Sequence, residues 1–255
     1  QFNVEKFKTL SDIKHIPLLK KKELIFLQSI GPRLGGLLTK DIGELKRIFL
    51  SPGPIFDPED RMDDYWGYTE AFYSVGFRPG DVVQVTFNYH LSPAGLMFEE
   101  PLRNLGCASI PAGPTDPGTQ LDIMQKLRVS GYVGTASYLM HLAQKAEEKG
   151  INLRKDLFQE VAFVTGERLS EKMRNQLEKK FDIILRQGYG TADVGCIGYE
   201  CFHKTGLHIS NRCYVEICHP DTGIPLKDGE VGEIVVTSFN KTYPLIRLAT
   251  GDLSY

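Results

Sequence analysis

The sequence predicts an α/β protein: a parallel sheet flanked by helices, with a smaller β-rich subdomain at the C-terminal end. Two observations predict it. Between residues 81 and 187, five short apolar runs alternate with helix-length amphipathic segments, the pattern of strands joined by crossover helices. After residue 193 the helical period stops, and strand-like runs follow one another across turn sequences.

The elements follow in order. Residues 1–60 form a helical and loop segment rich in lysine, with Ser11-Asp12 placed to cap a helix before Ile13. Ser51 to Pro58 holds three prolines and a glycine and reads as loop. Asp63 to Val75 reads as a helix ended by Gly76. Residues 61–199 then form the α/β domain. Strands are expected at 81–87, 108–111, 132–135, 161–165 and 183–187. Helices are expected at 93–105, where Pro93 suits a first turn, and at 119–128, 137–149 and 170–181. Gly150 closes the third of these. In the β-rich subdomain, 200–255, strands are expected at 214–217, 232–237 and 245–248, linked by Pro220-Asp221-Thr222-Gly223 and Lys227-Asp228-Gly229-Glu230.

Composition narrows the function classes. The chain has 255 residues, 42% of them hydrophobic, and a formal net charge of −2. It therefore presents no general basic surface for nucleic acid or a membrane. No apolar run approaches the roughly 20 residues that span a bilayer, and the first eight residues lack the apolar region of a signal peptide. Five cysteines are too few for a disulfide scaffold of this length, and reduced thiols in a cytoplasmic protein are the simpler reading. The chain starts without methionine and stops just after Thr250-Gly251-Asp252, so a piece of a longer protein is expected.

Candidate ligand residues fall where strands end, the usual place for a ligand in an open α/β sheet. Gln187-Gly188-Tyr189-Gly190-Thr191-Ala192-Asp193 reads as a loop beyond the fifth strand. Its glycines would let the backbone approach a bound group closely, Tyr189 offers a flat face for a base, and Asp193 an oxygen ligand. A turn in which Tyr189 is merely packed is the alternative. Asn88-Tyr89-His90 and Thr165-Gly166-Glu167 occupy similar positions, and Asp252 is a carboxylate suited to vicinal hydroxyls.

The ordered series of motifs resembles the adenylate-forming enzymes. It runs from Thr165-Gly166-Glu167 through Tyr189 to Asp193, then residues 229–237 (Gly-Glu-Val-Gly-Glu-Ile-Val-Val-Thr), then Pro244-Leu245-Ile246-Arg247 and Thr250-Gly251-Asp252. Within them it is most similar to the phenylacetate–coenzyme A ligase family, over most of residues 60–255. The resemblance implies a two-step ligase: ATP and a carboxylic acid, aryl or small acyl, give an acyl-adenylate, and the coenzyme A thiol then displaces AMP. It implies that Gly166, Glu167, Gly188, Tyr189, Gly190 and Thr191 line the nucleotide site, that Asp252 holds the ribose, that Asp193 meets a magnesium ion, and that Tyr89 and His90 line the acyl pocket. It also implies a homodimer, and a catalytic lysine in a mobile C-terminal domain beyond this chain.

Two departures stand against the family pattern. Its phosphate loop, rich in Ser, Thr and Gly with a lysine, finds its nearest match in Ser51-Pro52-Gly53-Pro54, whose prolines remove amide donors and which Asp57 follows. Ala192-Asp193 stands where a hydroxyl residue and a glutamate are usual. An adenylate-binding homologue without ligase activity therefore remains an alternative. A third reading is a zinc-stabilised interaction module: Cys196, Cys201, His203 and His208 offer sulfur and imidazole ligands for Zn2+, though in no standard finger spacing. Buried thiols beside a surface histidine account for the same residues. Arg247 reads as an ion pair or a phosphate contact, and Lys20 to Lys22 as a solvated face.

Overall fold

A computed structural model describes residues 8–255. The absence of a signal peptide was read from the first eight residues, which apart from Lys8 lie outside the described residues. The chain divides into two compact units, Met62–Ser210 and a second made of the chain up to Arg61 together with Asn211–Tyr255.

In the unit Met62–Ser210, five strands run in parallel: β4 (Val82–Val85), β5 (Ala108–Pro111), β6 (Gly131–Gly134), β7 (Val161–Val164) and the first half of β8 (Ile184–Thr191). Across the sheet they lie in the order β8-β7-β6-β4-β5. Antiparallel β9 (Gly195–Tyr199) and β10 (His208–Ile209) extend the β8 edge. The expected α/β fold with a helix-flanked parallel sheet is present.

Alternation along the strands explains why both faces carry helices. On β7, Ala162 and Val164 join one apolar cluster with Leu121 and Met124 of α4 (Pro117–Lys126), Leu139 and Leu142 of α5 (Ala136–Glu148), and Leu177 of α6 (Glu171–Phe181). Phe163, between them, points to the other face. There its ring stacks edge-on at 5.0 Å against Phe72 of α2 (Thr69–Val75) and lies 6.3 Å from Phe98 of α3 (Ala94–Asn104). Period-2 side-chain alternation thus places one apolar set on each face. No helix among the described residues is long and apolar enough to cross a membrane.

In the other unit, β11 (Cys213–Cys218), β12 (Gly232–Ser238) and β13 (Leu248–Ser254) form an antiparallel sheet, as the turn sequences suggest. Its edge is completed by β1 (Leu19–Lys20), which pairs in parallel with β13 and leads into α1 (Lys21–Ile30). The N-terminal segment therefore packs with the C-terminal strands. Arg247 joins them. Its buried guanidinium binds both carboxylate oxygens of Glu216 at 3.0 and 3.2 Å and donates to the carbonyls of Lys14, Ile16 and Gly223. Of the two readings of Arg247, the structure supports the ion pair.

Three expectations need correction. Ser51 to Pro58 is not loop but the turn and second strand of a hairpin, β2 (Arg47–Ser51) and β3 (Ile55–Glu59). The prolines are tolerated because a two-stranded ribbon has only edge strands, and Gly53, at φ 118°, makes the turn. The last strand begins at Leu248 rather than Leu245, since Arg247 adopts a left-handed φ of 50° that no strand accommodates. The expected 63–75 helix begins only at Thr69, after turns over residues 63–66.

Candidate active site

The parallel sheet has one point where strand order reverses. From β4 the chain moves outward to β5, then returns past β4 to β6 and continues to β7 and β8. A crevice opens between β4 and β6 at such a point, at the carboxyl ends of the strands. Thr86, after β4, lies with its hydroxyl 3.2 Å from Tyr132 Oη, and Tyr132 donates to Thr135 O at 3.0 Å. Burial pushes the Tyr132 hydroxyl well above the usual phenol range, so it stays a neutral donor. Gly134 is required between them: a Cβ there would lie 2.1 Å from Thr86 Oγ1 and 2.2 Å from Tyr132 Oη.

The Thr165-Gly166-Glu167 turn sits beside this crevice. Gly166 has φ 82°, and a Cβ built on it would be 3.6 Å from the Phe87 ring and 3.9 Å from Thr135 Cγ2. The turn thus reaches residues that follow β4 and β6. The Glu167 carboxylate accepts from Ser137 N at 2.6 Å and from Ser137 Oγ at 2.9 Å. It caps the N-terminus of α5, where the helix dipole favours an anion. The side chain expected in an adenine pocket is therefore committed to a helix end.

The stretch Gln187–Asp193 is not a free loop. β8 runs on through Thr191, paired antiparallel to β9, and only residues 192–194 turn. Its glycines make room for neighbouring side chains and main chain. A Cβ at Gly188 would lie 2.2 Å from Phe163 Cζ, and one at Gly190 would lie 2.2 Å from Tyr68 Oη and 2.3 Å from Gly195 O. Tyr189 is half-buried, Thr191 Oγ1 accepts from Val194 N at 3.3 Å, and Asp193 is 8% exposed within the turn.

Tyr89 and His90 follow β4, on its β5 side. The Tyr89 ring packs on α3 where Gly95 has no side chain, since a Cβ there would come within 2.6 Å of it. Burial, with the Glu99 carboxylate beside it, pushes the Tyr89 hydroxyl far up. His90 is exposed, its N–H and Nδ1 both turned to Asn88 Oδ1 at 2.8 and 3.1 Å.

The zinc candidates do not assemble. Among the described residues no group of three or more His, Cys, Asp and Glu is placed to hold a metal ion. The strand register explains this. Cys196 pairs with Gly190 near the β8–β9 turn, whereas His208, on β10, pairs with Tyr199 at the far end of β9. His203 stacks against Phe202 at 3.9 Å. Asp252 belongs to the other unit, on β13, where its N–H donates to Thr250 Oγ1 at 3.2 Å and Gly251 N donates to Glu233 Oε1 at 3.1 Å.

A family model for AMP-binding enzymes matches residues 65–241, from just before α2 to beyond β12. The chain belongs to the AMP-binding enzyme family. Phenylacetate-coenzyme A ligase of Pseudomonas putida is 31% identical over 71% of this chain and 42% of its own length. That of Thermus thermophilus is 27% identical over 98% of this chain and 57% of its own. The resemblance drawn from motif order is thus borne out. The chain spans about half the length of the curated relatives it matches. Among solved structures, an open conformation of 2-hydroxyisobutyryl-CoA ligase with 2-HIB-AMP and CoA shares the fold, with TM-score 0.92 at 23% identity, covering 99% of this chain and 62% of that one. A benzoate CoA ligase from Burkholderia xenovorans LB400 shares it with TM-score 0.60 at 17% identity, over 76% of this chain and 41% of that one.

Sequence reasoning missed one feature of this AMP-binding unit: the buried pair Arg174–Glu200 behind β8. A signal existed. Arg174 occupies the same buried helix stripe as Leu177 and Phe181, and Glu200 ends the buried run 195–200, so each charge stands where an apolar residue is expected.

Proposed function

We propose that this chain supplies the nucleotide- and acyl-binding part of an acid–thiol ligase. The observation that carries the reading is a Thr165-Gly166-Glu167 turn set at the reversal point of the sheet in an AMP-binding family chain. In the first step a carboxylate oxygen attacks the α-phosphorus of ATP, the α–β phosphoanhydride bond breaks, and pyrophosphate leaves with the electron pair. In the second a coenzyme A thiolate attacks the acyl carbon and AMP departs. The chain's part is to bind and orient the reactants.

Gly166 and the Glu167 main chain, with Gly188 to Thr191, would line the base. Tyr89 and His90 would border the acid. Magnesium fits this chain in one respect: Asp193 is a buried hard-oxygen donor, and Mg2+ characteristically takes one or two carboxylates and completes its shell with water and substrate phosphate. Bound there, it would neutralise developing phosphate charge.

A second reading, an adenylate binder without ligase activity, is favoured by one observation. Ser51-Pro52-Gly53-Pro54 closes a hairpin in which two of four residues lack an amide donor, and Asp57 stands buried on the following strand. Such a turn offers little to a triphosphate. Carboxylate-dependent pyrophosphate release by the full-length protein, across a panel of aryl and aliphatic acids, separates the two. Release with any acid supports the ligase; AMP binding without release by any acid overturns it in favour of the silent binder.

A further inference from the structure

Arg174 and Glu200 are sealed from solvent, with side-chain exposures of 1% and 4%, and neither belongs to the motifs of the nucleotide site. Arg174 reaches from α6 to grip Glu200 with two nitrogens, at 2.7 and 2.9 Å, and donates to Leu185 O at 3.0 Å. Glu171 Oε1 accepts from its Nε at 3.1 Å. Glu200 receives the main-chain N–H of Gln187 and the Gln187 Nε2, each at 2.9 Å. Its own N–H donates to Gln187 O, also at 2.9 Å.

Gln187 is where β8 changes partner. It is the last residue paired in parallel, opposite Val164 of β7, and Gly188 is the first paired antiparallel, opposite Tyr199 of β9. A buried main-chain donor at such a junction needs an acceptor that neither ladder supplies regularly. The Glu200 carboxylate is that acceptor, and Arg174 fixes the carboxylate while also holding Leu185 on the parallel side. One clasp thus sets the strand on both sides of the junction. The residues immediately downstream are Gly188, Tyr189, Gly190 and Thr191.

We propose that Glu200, locked by Arg174, is a positioning residue for nucleotide binding. By holding Gln187 through main chain and side chain together, it fixes where Gly188–Thr191 presents its backbone and the Tyr189 ring to an adenylate. The proposal rests on the reading of Gly188–Thr191 as part of the nucleotide site. A clasp that merely staples α6 to the sheet would affect stability and leave affinity alone.

Gln187 separates the two roles, because its half-buried side chain gives up one hydrogen bond while the Arg174–Glu200 pair stays intact. Trp66, the single tryptophan, reports on the far end of the same hairpin: its carbonyl accepts from Cys196 N at 2.8 Å. Gln187→Ala and Gln187→Met are expected to weaken AMP binding about tenfold by calorimetry, the scale of one hydrogen bond to a charged group. The Trp66 emission should shift, and the thermal midpoint should fall by no more than the few degrees that one lost hydrogen bond costs. Unchanged AMP affinity in both variants overturns the proposal. So does lost affinity that only follows a lowered thermal midpoint with unshifted emission, which is the mark of a staple. Absence of AMP heat with the wild-type protein overturns the nucleotide reading itself and this proposal with it.

Discussion

Replacing Gly190 with alanine adds one methyl where the structure has no room. Its Cβ would lie 2.2 Å from Tyr68 Oη and 2.3 Å from Gly195 O, whereas nonbonded carbon and oxygen settle beyond about 3 Å. Neither neighbour yields. Tyr68 is fully buried and wedged edge-on against Phe98 and Phe163, at 4.8 and 6.1 Å between ring centres. Gly195 O is main chain of the facing strand, where Thr191 pairs with Gly195. The β8–β9 ladder must therefore spread. Overpacking a core costs about 1–3 kcal/mol, and with two rigid contacts the upper end applies. At roughly 2–4 °C per kcal/mol for a domain of this size, the thermal midpoint should fall by about 6–12 °C. Gly166→Ala is the control: its nearest neighbour is 3.6 Å away, so only a positive φ of 82° opposes the methyl, a strain of roughly 1–2 kcal/mol. Far-ultraviolet circular dichroism on heating reads both. A Gly190→Ala protein that melts with the wild type would refute the packing argument and return the glycine to a ligand-facing role.

Other expectations follow from the same contacts. Glu167→Ala removes the α5 cap at Ser137 and should cost about 0.5–2 kcal/mol in denaturant unfolding, with weaker AMP binding. Arg247→Met leaves Glu216 buried without its partner and should cost about 3–5 kcal/mol, with faster proteolysis of the N-terminal segment that Arg247 holds. Burial opposes ionisation of Glu200 and Asp60, but Arg174 and Gln187 on the first, and Lys40 and Thr242 on the second, outweigh it and hold both carboxyls below their usual values near 4.5 and 3.8. With folded values depressed, their stabilisation is complete above those usual values and is lost as pH falls through the folded ones. Melting midpoints should therefore hold from neutral pH to just above 4.5 and then decline. Glu200→Gln should start lower and decline less.

Much of the fold was legible because the signals are periodic. The strand Ala108–Pro111 stands at the residues expected, and α6 starts one residue from its predicted position, capped by Ser170. The site was legible as an ordered list of motifs, which carried the family, but not as geometry. Two glycines around Tyr189 look like a loop in one dimension; that they make room for Phe163 and Tyr68 depends on residues 25 and 122 positions away. The β2–β3 hairpin was hidden by prolines that only an edge ribbon tolerates. Arg174 and Glu200, 26 positions apart, leave no local pattern beyond a charge in each apolar stripe.

Calorimetric titration of this chain with AMP, paired with its thermal shift, tests the central claim most directly. The claim is that the carboxyl ends of the parallel strands, with the β4–β6 reversal point and the Gly188–Thr191 stretch of β8, receive an adenylate. A saturable heat with one site per chain, an upward shift of the melting midpoint, and loss of both in Gly190→Ala are the predicted results. No heat and no shift from the wild-type chain would contradict it.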